Sequence, residues 1–208
     1  MINVLIADDH AILRRGLKEI LIKELEGAVC GEAMDAQEVL EQAQNHNWDL
    51  VILDVTMPGR SGLDVLKELK MVRPKLPVLI LSMHPEGQYG RRMLRAGAAG
   101  YLEKENAPEE LIKAIRKVMA GGRYVSPALA ESLAFDLNDD RPPHEALSDR
   151  EFEVLRMLAS AKTVTEIAEQ LHLSVTTVST YRARLLEKMR MATTAELIRY
   201  ALRNHLVD

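Results

Sequence analysis

LVILDVTMPGRSG, residues 50–62, decides the reading of this chain. Leu50 to Leu53 form an apolar run with no polar break, the pattern of a strand covered on both faces. Asp54 stands where the run stops. Pro58 and Gly59 then fit a tight turn, and Gly62 allows the next helix to begin close to the acid. A carboxylate at the end of a buried strand, followed by a turn and a helix, lies where a parallel sheet opens to ligands.

The same grammar repeats outward from this stretch. Ile2–Ala7, Val29–Ala33, Val78–Leu81 and Gly100–Leu102 read as further strands, and helical periodicity fills His10–Leu25, Ala36–Asn45, Gly62–Val72, Gln88–Ala96 and Pro108–Ala120. This alternation predicts an α/β domain over residues 1–121, a flavodoxin-like five-stranded parallel sheet with helices on both faces. Residues 122–145 lose the pattern, carry an acidic NDD and a Pro-Pro pair, and hold one helical fragment near Ala128–Phe135. They read as a linker. Residues 146–208 hold four helical segments, Asp149–Ser160, Val164–Leu171, Val175–Met189 and Thr194–His205, and predict an all-α four-helix domain. Three of them open with a hydroxyl followed three residues later by an acid: Ser148 with Glu151, Thr163 with Glu166, Thr193 with Glu196. Val175–Met189 differs. Ser174 can cap it, but the residue three on is Thr177, so its positive end is left without an acid and a phosphate could occupy it.

At 208 residues the chain suits two small domains better than one. Hydrophobic residues make up 47% and charged residues 28%, a globular composition, and no segment approaches the roughly 18 apolar residues of a membrane span. The start, MINVLIADDH, places acids where a secretory signal would continue its apolar core. A cytoplasmic location and no membrane partner are expected. Cys30, the single cysteine, sits in an apolar run and reads as a buried structural thiol. The net charge of -4 argues against indiscriminate coating of nucleic acid, but its distribution is uneven: -2 over 1–121, -3 over 122–145 and +1 over 146–208. The last segment alone lacks an acidic excess, which is compatible with a local basic patch.

Five residues near strand ends carry the chemistry of the first domain. Asp8 and Asp9 follow the first strand, Asp54 the third, Ser82 the fourth, and Lys104 lies just beyond the fifth. Converging carboxylates repel, and an oxygen-preferring divalent cation relieves that cost; Mg²⁺ suits a site with few protein ligands. Asp54 can then act as a nucleophile toward a phosphoryl donor while Lys104 and the metal neutralise charge. Singly, each has a plainer reading as a helix cap, a turn serine or a solvated lysine, but the joint placement favours a site. His84 follows Ser82 by two positions and Thr56 follows Asp54 by two; both could influence how fast water removes a phosphate from Asp54, but a solvated loop residue is the plainer reading of His84.

IADDH, LDVTMPGRSGLDVL, ILSMH and GAAGYLEK together resemble the receiver domains of two-component response regulators, across all of residues 1–121. The resemblance implies that Asp54 accepts phosphate from a sensor histidine kinase. It implies that Asp8, Asp9, Asp54 and the backbone carbonyl of Thr56 hold Mg²⁺, that Ser82 and Lys104 contact the phosphoryl group, and that Tyr101 is the aromatic switch that turns inward when Ser82 moves.

Val164–Leu171, the turn HLS and Val175–Met189 have the form of a helix-turn-helix. Val178, Leu185 and Met189 share one side of the second helix, with Tyr181 at its edge, and should face a core. Thr176, Ser179, Thr180 and Ala183 lie opposite, small enough for close approach to a major groove, with Arg182, Arg184 and Lys188 flanking them toward phosphates. An ordinary solvated helix would carry a similar pattern. LSDREFEVLRMLA, TVTEIAEQLHLSVTTVSTYRARLLEKM and AELIRYALRNHLV, however, resemble the LuxR-type output domain of the NarL/FixJ response regulators. That resemblance implies double-stranded DNA as a partner, contacts through Ser174, Thr176, Thr177, Ser179, Thr180, Arg182, Ala183, Arg184 and Lys188, RNA polymerase as a further partner, and a homodimer when phosphorylated. Family members often place a basic residue where this chain has Ser179 and sometimes where it has Ala183, so weaker guanine readout is expected. The expectation is a transcription regulator and not an enzyme. An aspartyl-nucleophile phosphatase would need an acid two residues after Asp54, where Thr56 stands. A regulator that keeps the receiver fold but acts independently of phosphate is the second alternative.

Overall fold

The computed structural model describes residues 1–57, 60–135 and 142–207. The expected turn at Pro58 and Gly59 lies outside the described residues. The chain divides into two units, Met1–Ala130 and Glu131–Asp208.

In the first unit, β1 (Ile2–Ala7), β2 (Ala28–Ala33), β3 (Leu50–Asp54), β4 (Val78–Ser82) and β5 (Gly100–Glu103) pair in parallel in the order β2-β1-β3-β4-β5. The helices α1 (Ala11–Glu24), α2 (Ala36–Asn45), α3 (Gly62–Val72), α4 (Glu86–Arg95) and α5 (Ala107–Met119) alternate with them. β3 and β4 are buried at every residue, as their unbroken apolar runs require. Edge strand β2 is only partly covered. Ile6, Ile52, Leu79, Leu81, Leu111 and Ile115 belong to one buried cluster joining the central strands to α5.

Register does the positioning. Ala7 pairs with Leu53, so Asp8 and Asp54 leave the sheet side by side at the point where strand order reverses. Asp54 pairs with Leu81 and Ser82 with Glu103, which places Ser82 and then Lys104 one step further along the same edge. β3, β4 and β5 each run one residue past the last apolar one, taking Asp54, Ser82 and Glu103 into the ladder. Apolar patterning ends a strand where hydrophobicity ends, whereas backbone pairing continues as long as the polar side chain finds partners.

Gly62 starts α3 hard against the end of β3. A Cβ there would stand 2.6 Å from Val55 Cα and 2.8 Å from Asp54 O. The Gly62 amide donates to Val55 O at 3.0 Å.

Part of the stretch expected to be a linker is built into the first unit. Tyr124 forms a parallel bridge to Gly100, and α6 (Pro127–Phe135) begins with Leu129 only 4% exposed. A one-residue ladder and one anchoring leucine give no periodic signal, so sequence patterning passes over them.

The second unit is formed by α7 (Asp149–Ala159), α8 (Val164–Gln170), α9 (Val175–Met189) and α10 (Thr194–Arg203). The three expected capping boxes are formed, and Ser174 caps α9 by accepting from the Thr177 amide. Phe152, Leu155, Ile167, Val178, Leu185 and Leu197 are all buried within it. Ala161, His172, Arg190 and His205, each just past a helix, have left-handed backbones with φ of 61°, 53°, 53° and 51°. Residues 146–208 contain no glycine.

Glu151, which closes the Ser148 capping box, is 3% exposed and is met by Lys188 Nζ at 2.7 Å. Burial pushes its pKa upward, but the hydrogen bonds from Lys188 and Ser148 outweigh that and hold it below the ordinary glutamate value. A carboxylate lowered in the native state stabilises above its unfolded pKa and loses that contribution as pH falls through the native value.

Two outcomes are expected. Gly62→Ala should cost the first unit about 1–3 kcal/mol through forced displacement of backbone, read as a lower urea midpoint. Lys188→Met should cost the second unit about 1–2 kcal/mol near neutral pH, the half-exposed lysine limiting the loss. In urea titrations carried down in pH, the gap between wild type and Lys188→Met should close once pH drops below the ordinary glutamate range.

Candidate functional site

Lys104 opens a short 3₁₀ turn, Lys104–Asn106, directly after β5. Its Nζ lies 2.6 Å from Asp8 Oδ2 and 2.8 Å from Asp54 Oδ2. Both carboxylates are 1% exposed. Asp54 Oδ1 also accepts from the Thr56 amide at 3.1 Å. Burial raises the Asp54 pKa above the usual carboxylate value, against the pull of Lys104 and Thr56. For Lys104, burial acts downward, but Asp54 and Asp8 more than compensate and hold the ammonium above its ordinary pKa.

Asp9 and His10 stand at the exposed mouth of this pocket. His10 Nδ1 is 3.0 Å from Asp8 Oδ1 and 2.8 Å from Asp9 Oδ1, and the His10 amide donates to Asp8 Oδ1 at 2.8 Å. Ligand atoms of Asp8, Asp9, His10 and Asp54 all lie within 4.8 Å of one another. Asp8 Oδ2, although close to the ammonium, makes no directed hydrogen bond and is fully enclosed. Two buried carboxylates sharing one ammonium, with a third carboxylate within 4.8 Å at the mouth, fit a hard divalent cation such as Mg²⁺.

Ser82 is fully buried at the end of β4, and its Oγ accepts from the His84 amide at 3.0 Å. Tyr101 is 2% exposed, and its hydroxyl donates to the His84 carbonyl at 2.7 Å. The ring is therefore turned inward. His84 is half-buried in the loop after β4: its ring lies 5.2 Å from that of Tyr89, and Nε2 is 3.5 Å from Thr56 Oγ1 on the exposed side.

The structure thus gathers Asp8, Asp9, Asp54 and Lys104, with Ser82 and Thr56 at the adjoining strand ends and Tyr101 inside β5. Sequence reasoning missed two contributors. His10 braces both acids, and only its place in the DDH run signals this. Arg14 is 7% exposed and donates to the Asp8 carbonyl at 2.7 Å, with its Nε 3.3 Å from Glu32. An arginine on the sheet-facing side of an amphipathic helix is the available signal.

In the second unit α8, the turn and α9 form the expected helix-turn-helix. The turn closes through His172, whose amide donates to Glu169 O at 3.2 Å, and Leu173, whose amide donates to Ala168 O at 2.8 Å. Val178, Leu185 and Met189 point inward. Thr176, Thr180, Arg182, Ala183 and Arg184 are exposed, and Ser179 is half-buried. No acid occupies the first turn of α9. Ser174 and Thr177 hydroxyls lie 2.7 Å apart, and Thr180 Oγ1 donates to Thr176 O. Among the described residues, no carboxylate pairs with Arg182 or Arg184. Lys188 departs from expectation: its ammonium is drawn to Glu151, because a buried carboxylate attracts the nearest cation more strongly than solvent does. Val175, nearly half exposed at the tip of α9, was not among the sequence-derived residues.

Residues 4–116 match the response regulator receiver domain, and residues 145–201 match the bacterial regulatory proteins of the luxR family. The response regulator GacA of Pseudomonas aeruginosa is 38% identical, over 100% of this chain and 99% of that protein. RcsB from Salmonella enterica serovar Typhimurium, bound to promoter rprA in the presence of the phosphomimetic BeF3-, is 29% identical with a TM-score of 0.69, covering 96% of this chain and 97% of that one. A structure of two RcsB dimers bound to two parallel DNAs is 27% identical with a TM-score of 0.60, covering 100% and 99%. No helix among the described residues is long and apolar enough to cross a membrane. The acidic pocket at the edge of a receiver sheet and the helix-turn-helix that follows it in sequence therefore belong to a two-component response regulator of the NarL/FixJ type, a regulator of transcription.

Proposed function

We propose that Asp54 is the phosphoacceptor and that its phosphorylation by a sensor histidine kinase governs dimerisation and DNA binding through the second unit. The observation that carries this reading is the single Lys104 ammonium held between the buried Asp8 and Asp54 carboxylates. An oxygen of Asp54 attacks phosphorus on the kinase phosphohistidine. The new P–O bond forms as the P–N bond breaks, and the electron pair leaves with the donor imidazole. Lys104 follows the charge to the transferred group, and the Ser82 hydroxyl, whose Oγ accepts from the His84 amide, donates a hydrogen bond to a phosphoryl oxygen. Asp8, Asp9, Asp54 and the Thr56 carbonyl are the residues that would hold Mg²⁺, which supplies Lewis-acid neutralisation of the phosphoryl oxygens. Thr56 and His84 form the rim that a hydrolytic water must pass.

At the DNA end, Thr176, Ser179, Thr180 and Ala183 approach the groove with Val175. Arg182, Arg184 and the Ser174–Thr177 helix start take phosphates, while Lys188 serves Glu151 first. Acting as a dimer, as RcsB does in its DNA complex, two such helices read two half-sites. RNA polymerase is a partner at the promoter. The reading places the protein in the cytoplasm, where kinase and DNA meet.

The test uses acetyl phosphate and Mg²⁺ with intact-mass detection. The wild-type chain should gain one phosphoryl group and Asp54→Asn none, and phosphorylation should raise DNA affinity by about 5–150-fold, the usual range of coupling between two sites. Equal labelling of both proteins would overturn the assignment.

A further inference from the structure

The segment after α5 is attached to the receiver at two places, the edge of β5 and the start of α4. At one end the Tyr124 backbone adds to the edge of β5: its amide donates to Ala99 O at 2.9 Å, and the Tyr101 amide donates to its carbonyl at 3.1 Å. The approach is close enough that a Cβ at Gly100 would meet Tyr124 O at 2.7 Å. The Tyr124 hydroxyl donates to the Glu110 carboxylate on α5, and Lys117 Nζ lies 5.8 Å from the ring centroid. Burial, aided by Glu110, pushes the Tyr124 phenol up to about 12, so it remains a donor throughout the physiological range.

At the other end, the Ser126 amide donates to Glu86 Oε1 at 3.2 Å and its hydroxyl donates to Glu86 Oε2. Ser126 Oγ in turn accepts from the Leu129 amide at 3.1 Å, satisfying an orphan donor at the start of α6. Glu86 is the first residue of α4, and its own amide is held by Glu103 of β5 at 2.8 Å. Leu129 then lies over α4 at Gly90, where a Cβ would stand 2.8 Å from its Cδ2. Glu86 is therefore two residues from His84, whose amide is held by Ser82 and whose carbonyl is held by Tyr101.

Resting on the phosphoacceptor reading above, we propose that the Glu86–Ser126 clasp carries the state of the acceptor pocket into the linker: closed before phosphorylation, opened after it. When Ser82 Oγ turns to the phosphoryl group, the His84 amide loses its partner and the loop that begins α4 shifts. Glu86 moves with it, and Ser126 loses its carboxylate. α6, from which the chain runs on to the DNA-binding unit, loses the anchor at its first turn. Glu86 and Ser126 are positioning residues. Neither lies in the acceptor pocket, and their role is to make α6 respond to it. A discrete bonded pair with two states is what coupling between separate sites requires.

The test uses the full chain as wild type, Ser126→Ala and Ser126→Thr, each with and without acetyl phosphate and Mg²⁺. Labelling is followed by intact mass, backbone protection over residues 122–130 by hydrogen exchange, and affinity for the duplex that phosphorylated wild type enriches from sheared genomic DNA. Wild type should lose protection at Ser126 and Leu129 on phosphorylation and gain affinity. Ser126→Ala should label at the wild-type rate, exchange rapidly at Leu129 in both states, and lose at least about two thirds of the phosphorylation-dependent ratio in affinity, while Ser126→Thr restores the response. Ser126→Ala retaining the full affinity ratio, or wild-type protection unchanged by phosphorylation, overturns the clasp while leaving the phosphoacceptor reading intact. A wild type that takes up no phosphoryl group overturns the reading and the clasp together.

Discussion

One ammonium between two buried carboxylates holds the acidic edge of the receiver sheet together. Asp8 and Asp54 leave adjacent strands in register, and without Lys104 their charges would face each other in a pocket that excludes water. Removing one member of such a group leaves uncompensated buried charge, a heavier cost than the intact arrangement gains over an apolar one. The carboxylates at the ends of β1 and β3 are tolerated in that pocket because this cation meets both of them.

Much of this was legible in the sequence. Parallel strands announce themselves as unbroken apolar runs, and their order, combined with side chains at the carboxyl ends, brings Asp8, Asp54, Ser82 and Lys104 to one edge. Capping boxes fixed the helix starts of the second unit because hydroxyl and acid act over three residues of backbone. What escaped was tertiary in origin. His84 finds Tyr89 on the next helix and Thr56 on another loop as neighbours, contacts that its own position in the sequence does not announce. Lys188 reads as a surface cation until Glu151 is found buried beside it. Tyr124 pairs with a strand edge through a single residue, and no periodicity records one residue.

The second unit reaches its surface by the opposite route. Where the receiver concentrates charge in a closed pocket, α9 keeps its arginines in water and leaves its first turn without an acid. The difference suits the partners. A phosphoryl group is a point of high charge that needs dehydrated donors, whereas a duplex is a long polyanion whose contacts remain hydrated and salt-sensitive.

The four left-handed residues past the helices of that unit have a consequence for how it evolves. Each L-residue in this conformation forgoes roughly 1 kcal/mol, and glycine, which would recover part of it, is absent from the whole segment. Glycine would also free the unfolded chain, so the net gain at any one turn is small. Stability can therefore drift up or down at Ala161, His172, Arg190 and His205 in small, nearly independent steps. Such adjustments leave the groove-facing side chains unaltered, so thermal adaptation and operator choice can proceed on separate sets of residues.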